Sequence, residues 1–114
     1  MKKAEVLRNK EDFNRLHNKG KSVGSRFAVI VFLPNHLEYS RKAFLASKKV
    51  GNSIVRHRST RLMKEAFRLI EKDYDVPVGM DFLFIARSAI KDSKCADVKK
   101  AMEAAMKKAG ILKA

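Results

Sequence analysis

Two apolar runs dominate the hydrophobic pattern of this 114-residue chain. FAVIVFL at 27–33 and MDFLFIA at 80–86 are rich in β-branched and aromatic residues, and each is short enough to be a strand covered on both faces. Segments 22–25 and 41–47 predict two further strands, and Pro34 ends the first long run in a turn. The pattern therefore predicts a sheet of four strands.

Three other segments place apolar residues three or four positions apart, which is typical of helices with one buried face. Small polar residues precede these segments and glycines follow two of them, as expected for helix caps. The predicted helices are 10–18 (N-cap Asn9, end at Gly20), about 53–72 (N-cap Asn52 or Ser53) and about 96–109 (cap near Asp92 or Ser93, end at Gly110).

The order of these elements predicts a protein of the α+β class. We expect a two-layer sandwich of order αβββαβα, in which helices cover a four-stranded mixed sheet. No repeat, linker or low-complexity tract divides residues 1–114, so one domain is expected. The passage from strand 41–47 through the middle helix to strand 80–86 suits a crossover between parallel neighbours, and base rates favour a right-handed one.

The middle helix is predicted to have one apolar face and one basic face. At about 100° per residue, the apolar stripe contains Val55, Ser59, Leu62, Met63, Ala66, Leu69 and Ile70. The opposite face carries His57, Arg61, Lys64, Arg68 and Lys72, while Arg56 and Arg58 flank the stripe on its two sides. We therefore expect this helix to pack through one face and to present cations on the other.

The net charge of +14 is spread unevenly, with an excess of +6 in residues 1–47, +6 in 48–72 and +2 in 73–114. Segment 48–72 holds eight basic and two acidic residues, too few acids to pair each cation along the helix. So large a charge repels itself unless a polyanion neutralises it, and arginine favours nucleic acid over a membrane surface. With neither a run of about 20 apolar residues nor a secretory signal, a cytosolic location is expected.

Residues that could carry catalysis or bind metal are sparse. Cys95 is the only cysteine, so neither redox chemistry nor an intrachain disulfide is expected. The histidines at 17, 36 and 57 lack metal-ligand spacing, and Gly20-Lys21-Ser22 lacks the earlier glycine of a phosphate loop. Capping and turn formation account for Asp73, Asp75 and Asp81. No catalytic residue and no metal ligand is therefore predicted.

An ordered set of motifs resembles one known family. SKKVGN at 47–52 is followed by Arg-His-Arg at 56–58, Arg-Leu at 61–62 and KEAF at 64–67. The set continues with EDF at 11–13, KGKSV at 19–23, FLFIAR at 82–87 and KKAMEAAMKKAG at 99–110. It is similar, over nearly the whole chain, to the signature of the bacterial ribonuclease P protein subunit.

This resemblance implies a protein that joins a large catalytic RNA, in a complex that removes the 5′ leader from precursor tRNA. It implies that the RNA holds most of the Mg²⁺ and carries the chemistry, so that the isolated polypeptide is not catalytic and binds no cofactor of its own. It also implies a left-handed crossover around the middle helix, in place of the right-handed one. DNA and membranes are not expected as partners.

Carried over by position, the resemblance implies two binding surfaces. An aromatic face stacks on any base, so a cleft containing one tolerates leaders of differing sequence. Two histidines depart from the family, at 57 where asparagine is usual and at 17 where an aromatic is common, and Ile30 or Val31 replaces a frequent tyrosine. The catalytic-RNA surface is Lys48, Lys49, Asn52, Arg56, His57, Arg58, Arg61, Lys64 and Arg68, and the leader cleft is Phe13, His17 and Lys48.

Two alternative functions remain open at this point. A ribosomal-type or general RNA-chaperone protein would also be basic, but it would bind structured RNA without a processing role. A membrane-surface or DNA-binding module would prefer anionic vesicles or duplex DNA. Cleavage of a precursor leader at low Mg²⁺ with the cognate catalytic RNA distinguishes the family function from both.

Overall fold

The computed structural model describes residues 10–112, and the predicted cap Asn9 lies outside this range. The order of helices and strands agrees with the predicted αβββαβα, with one short 3₁₀ helix in addition. The elements are α1 (Lys10–Lys19), β1 (Lys21–Gly24), β2 (Ala28–Pro34), β3 (Arg41–Leu45), α2 (Ser53–Asp73), β4 (Met80–Ala86), the 3₁₀ helix (Ser88–Asp92) and α3 (Cys95–Lys108).

The four strands form one mixed sheet in the order β1-β2-β4-β3. The β1/β2 and β2/β4 pairs are antiparallel, whereas β3 and β4 are parallel, with Arg41 opposite Asp81 and Leu45 opposite Ile85. The predicted mixed sheet and the parallel β3–α2–β4 connection are therefore confirmed, and the handedness of the crossover stays a prediction. β3 is an edge strand of this sheet, so no strand within residues 10–112 pairs with its outer side.

A cluster of phenylalanines fills the core between the sheet and α2 and α3. Phe84 lies with its ring centroid 4.8 Å from both Phe44 and Phe67. Phe67 is 2% exposed, so its omission from the predicted stripe was wrong, and Leu69 is only partly buried. Both lie at edges of the stripe, where the direction of packing against β3 and β4 decides burial.

The opposite face of the sheet is covered by α1. Leu16 is fully buried there against Val31, Ala43 and Leu83, one residue from each of β2, β3 and β4. Gly20 ends α1, and its amide donates to the Leu16 carbonyl at 2.8 Å. A Cβ at position 20 would lie 2.3 Å from that carbonyl oxygen, so only glycine lets the chain turn here.

Two of the predicted element boundaries shift in the structure. β3 stops at Leu45 because residues 47–50 form a turn closed by the Val50 amide and the Ser47 carbonyl at 3.0 Å. Lys94 precedes α3 in place of the predicted Asp92 or Ser93, which belong to the 3₁₀ helix and its end. Within residues 10–112, no helix is both long and apolar enough to cross a membrane.

Candidate nucleic-acid interface

The basic face of α2 has the predicted arrangement. Asn52 caps the helix, and its side-chain oxygen accepts the Val55 amide at 3.0 Å. Buried Met63, Ala66 and Ile70 fix the opposite side against the core, so the residues between them must face solvent. His57, Arg61, Lys64, Arg68 and Lys72 are all exposed, and Arg56 and Arg58 are half-buried at the flanks.

The turn before α2 presents two more cations. Lys48 and Lys49 are exposed, while the neighbouring Val50 is 3% exposed and anchors the turn in the core. Gly51 has φ +158°, and a Cβ there would lie 2.8 Å from Val55, so glycine allows the close approach of the turn to the helix. The turn and the first part of α2 therefore form one continuous basic surface.

Arg58 has a structural role that the sequence did not indicate. Its guanidinium donates to the carbonyls of Lys91 at 2.9 Å and Ser93 at 2.6 Å, at the end of the 3₁₀ helix. The Ser88 hydroxyl also donates to the Lys49 carbonyl at 3.3 Å. The 3₁₀ helix thus supports both the basic turn and α2. Arg56 differs, because its buried Nε has no hydrogen-bond partner among the residues the structure describes.

Among the arginines of the α2 face, only Arg68 pairs with an acidic side chain within residues 10–112. Its guanidinium contacts both oxygens of Glu65, and hydrogen bonding from Arg68 lowers the pKa of Glu65. The side chains are 61% and 47% exposed, so water and salt weaken the attraction. This exposed pair therefore contributes little to the stability of the fold.

A groove of about 530 Å³ follows the open edge of β3. Phe13 of α1 forms one wall, and Lys64 and Arg68 of α2 stand on the other side of the strand. Strand alternation turns Ala43 and Leu45 toward Phe13, and Leu45 is 45% exposed. The groove is therefore apolar along one side and cationic along the other, lined by Phe13, Lys42, Ala43, Phe44, Leu45, Lys64 and Arg68.

The structure brings together only part of the predicted leader cleft. Phe13 lines the groove, whereas His17 and Lys48 are exposed but do not contribute to its lining. Sequence reasoning missed the β3 residues Lys42, Phe44 and Leu45. The alternation of the 41–47 segment was the available signal, but which strand lies at the edge of the sheet depends on the strand order.

The aspartates around the start of β4 do not form a cluster. Asp73 pairs with Lys99 at 3.0 Å on the α2–α3 side, and Asp75 is exposed. Asp81 is 1% exposed and pairs with Arg41 at 2.8 Å, so capping or turn formation was the wrong explanation for it. Among residues 10–112, no group of three or more acidic, histidine or cysteine side chains is arranged to hold a metal ion.

Cys95 lies at the rim of the basic face. The thiol is partly buried in a depression that Arg58, Arg61, Leu62 and Glu65 complete. Burial, with a smaller effect of the Glu65 charge, raises the pKa of the thiol above the ordinary cysteine value. Because the thiolate is the nucleophilic form, this environment makes Cys95 less reactive at neutral pH.

Similarity to known proteins extends over nearly the whole chain. A family model described as Ribonuclease P matches residues 1–110. The ribonuclease P protein component of Pelotomaculum thermopropionicum is 38% identical over 111 residues, covering 97% of each chain. That of Alkaliphilus metalliredigens is 41% identical over 96 residues, covering 84% of this chain and 85% of the relative.

Two solved structures share the fold. The RNase P protein of Staphylococcus aureus superposes with a TM-score of 0.82 at 28% identity, over 97% of this chain and 100% of that chain. The RNase P protein of Thermotoga maritima gives a TM-score of 0.78 at 26% identity, over 91% and 96% of the two chains. Sequence and fold therefore agree on the same set of relatives.

Proposed function

The chain belongs to the ribonuclease P protein family, and we propose that it uses α2 to hold the catalytic RNA and the β3 groove to hold the 5′ leader of precursor tRNA. Its role is that of the RNA-binding protein subunit in tRNA 5′ processing. The finer assignment of RNA and leader to separate surfaces rests on the geometry of the described residues.

One observation supports this division most directly. Lys64 and Arg68 belong to the exposed face of α2 and also line the β3 groove. An RNA held along α2 would therefore lie next to any single strand in the groove. Arginine forks bind phosphate oxygens in pairs, and the aromatic face of Phe13 accepts a base of any identity.

The protein's contribution on this proposal is binding and orientation. Cations of the turn and of α2 neutralise phosphates of the catalytic RNA and displace its counterions. The groove fixes the strand that precedes the cleavage point, which lowers the entropy cost of aligning it. Bond cleavage is assigned to the RNA, which also holds most of the Mg²⁺, and no chemical step is assigned to a side chain of this protein. The complex is expected to act in the cytosol.

Reconstitution tests the proposal. The protein is combined with its cognate catalytic RNA, and cleavage of a precursor tRNA is measured at a Mg²⁺ concentration too low for the RNA alone. Rescue of cleavage is expected, with an affinity for precursor that grows with leader length. Equal binding to unrelated structured RNAs, without rescue, would instead favour a general RNA-chaperone function.

The surface assignment needs variants on each side. Arg61→Ala should weaken binding of the catalytic RNA by up to tenfold, because one phosphate contact is lost. Phe13→Ala should leave that binding intact and reduce the preference for a long leader. If both variants reduced only the binding of the catalytic RNA, or only the preference for a long leader, the two surfaces would not be separate.

A further inference from the structure

Four charged side chains meet under α1, where the helix crosses the first residues of β3 and β4. Arg41 donates through Nε to Asp81 Oδ1 at 2.9 Å and through Nη2 to Asp81 Oδ2 at 2.8 Å. Its remaining Nη1 donates to Asp12 Oδ2 at 2.8 Å. Arg15 Nη2 lies 3.5 Å from Asp12 and 3.6 Å from Asp81. Arg41 thus bridges one carboxylate of the sheet and one of the helix.

The bridge is shielded from solvent. The side chains of Asp81, Arg41 and Asp12 are 1%, 16% and 21% exposed. Asn35 completes the surroundings of Asp81 by donating to Oδ1 at 2.9 Å. The hydrogen bond that Arg41 donates to Asp81 is the main reason that the pKa of Arg41 lies above its ordinary value. A buried pair of this kind fixes geometry more than it adds net stability.

α1 needs such a geometric constraint because its apolar contact is small. Leu16 is the buried residue of the helix, and Phe13 is only partly buried beside it. Apolar contacts do not fix direction, so a helix held mainly by Leu16 is free to rotate and slide on the sheet. The bond from Arg41 Nη1 to Asp12 removes that freedom at this turn of α1, because the two bonds to Asp81 fix the guanidinium on the sheet.

The same bridge sets the position of the Phe13 wall relative to β3. Asp12 directly precedes Phe13, so fixing the position of Asp12 also fixes the angle at which Phe13 faces β3. Arg41 is the first residue of β3, and the next four residues, Lys42 to Leu45, line the groove. A rotation of α1 would widen or close the space between Phe13 and Leu45.

We propose that Arg41 is a positioning residue for leader binding, which holds Asp12 and Asp81 together and so keeps the Phe13 wall at a fixed distance from β3. This inference rests on the proposed function of the groove. Arg41 need not touch RNA, and it contributes to leader affinity through the helix it holds.

The test uses two variants that cut the same link from opposite ends. Asp12→Ala removes the helix carboxylate and leaves the Arg41–Asp81 pair intact inside the sheet. Arg41→Lys retains a charge beside Asp81, but a single ammonium cannot reproduce three directional bonds to two carboxylates. Asp12→Glu keeps the carboxylate and is the conservative variant. Lys99→Gln is the matched control, since Lys99 also bridges two carboxylates, Asp73 and Glu103, but on the α2–α3 side.

Each variant is assembled with the cognate catalytic RNA, and its affinity is measured for a precursor with a long leader and for one with a one-nucleotide leader. Asp12→Ala and Arg41→Lys should each lose roughly tenfold in affinity for the long leader, about one base stack. Affinity for the one-nucleotide leader and for the catalytic RNA should stay within about twofold of wild type. Asp12→Glu should retain most of the affinity, and Lys99→Gln all of it.

The double variant Asp12→Ala/Arg41→Lys tests whether the two residues act through one link. If they do, its affinity for the long leader should be no lower than that of the weaker-binding single variant. Full additivity, an equal loss with both precursors, or the same loss in Lys99→Gln would overturn the inference. Failure of the proposed function itself would give a different result, because the wild-type holoenzyme would then bind both precursors equally. In that case Arg41 would have no role in leader binding.

Discussion

Arg58 and Arg61 lie about one turn apart on α2, yet the structure predicts different consequences of removing each. Arg58 donates two hydrogen bonds to the backbone carbonyls of Lys91 and Ser93. Arg61 is exposed, and its side chain makes no hydrogen bond or ion pair within residues 10–112. Arg58→Ala should therefore destabilise the folded protein, whereas Arg61→Ala should act mainly on RNA binding.

The magnitude for Arg58 follows from its two contacts. A hydrogen bond to a charged group contributes about 1.5–3 kcal/mol, and the half-exposed position of Arg58 favours a total of about 2 kcal/mol for the two. For a domain of this size that loss lowers the melting temperature by roughly 8 °C. Arg61→Ala should stay within about 0.5 kcal/mol of wild type, as exposed substitutions usually do.

Thermal and urea unfolding measure the stability of both variants, and RNA affinity at several salt concentrations measures binding. Arg61→Ala should reduce the slope of log affinity against log salt by about 1, because one phosphate contact is lost. Arg58→Lys separates charge from geometry, since it keeps the cation but cannot reach both carbonyls. An Arg58→Ala protein as stable as wild type would refute the structural role of this side chain.

Three further predictions concern the core, the end of α1 and the lone thiol. Phe67→Ala should cost about 3–5 kcal/mol in urea unfolding, because Phe67 is 2% exposed and packs on Phe82 and Phe84. Gly20→Ala should lower the melting temperature and reduce leader affinity, since the new Cβ would overlap the Leu16 carbonyl and displace α1; unchanged values of both would contradict this. The rate at which Cys95 reacts with a thiol reagent should rise with pH, and the pH midpoint of that rise should lie above that of a free cysteine because burial raises the pKa of the thiol. As the folded pKa lies above the unfolded one, the stability linked to this thiol is complete below the unfolded pKa and is lost as pH rises through the folded pKa; a midpoint at or below the free value would refute the assignment.

The fold could be predicted because its signals are local. Apolar runs of strand length, helical spacing and small polar caps each lie within a few neighbouring residues, and they indicated the four strands and three helices correctly. The basic face of α2 was predictable for the same reason, since one helix wheel contains both its buried and its exposed sides. The 3₁₀ helix was missed because five residues are too few to show a period.

The features that sequence could not indicate all depend on contacts between distant segments. Nothing near Asp12 in the chain marks it as the partner of Arg41, and nothing near Asp81 distinguishes it from the exposed Asp75. Likewise, the edge position of β3 follows from the strand order, which places the last strand, β4, between β2 and β3. Charge pattern identified which residues are cations but not which of them the fold uses internally.

That internal use explains how the protein directs its charge. Acidic side chains hold particular cations where the fold needs them, as Asp81 and Asp12 hold Arg41 and as Asp73 and Glu103 hold Lys99. Arg61 and Lys64 have no acidic partner within residues 10–112, so their charge is directed outward. The fold therefore divides the basic residues into cations that hold its elements in place and cations that remain available for phosphate. A variant that removed the Asp12 carboxylate and placed one on the exposed face of α2 would weaken leader binding and catalytic-RNA binding at once, through a looser α1 and a partly neutralised RNA surface.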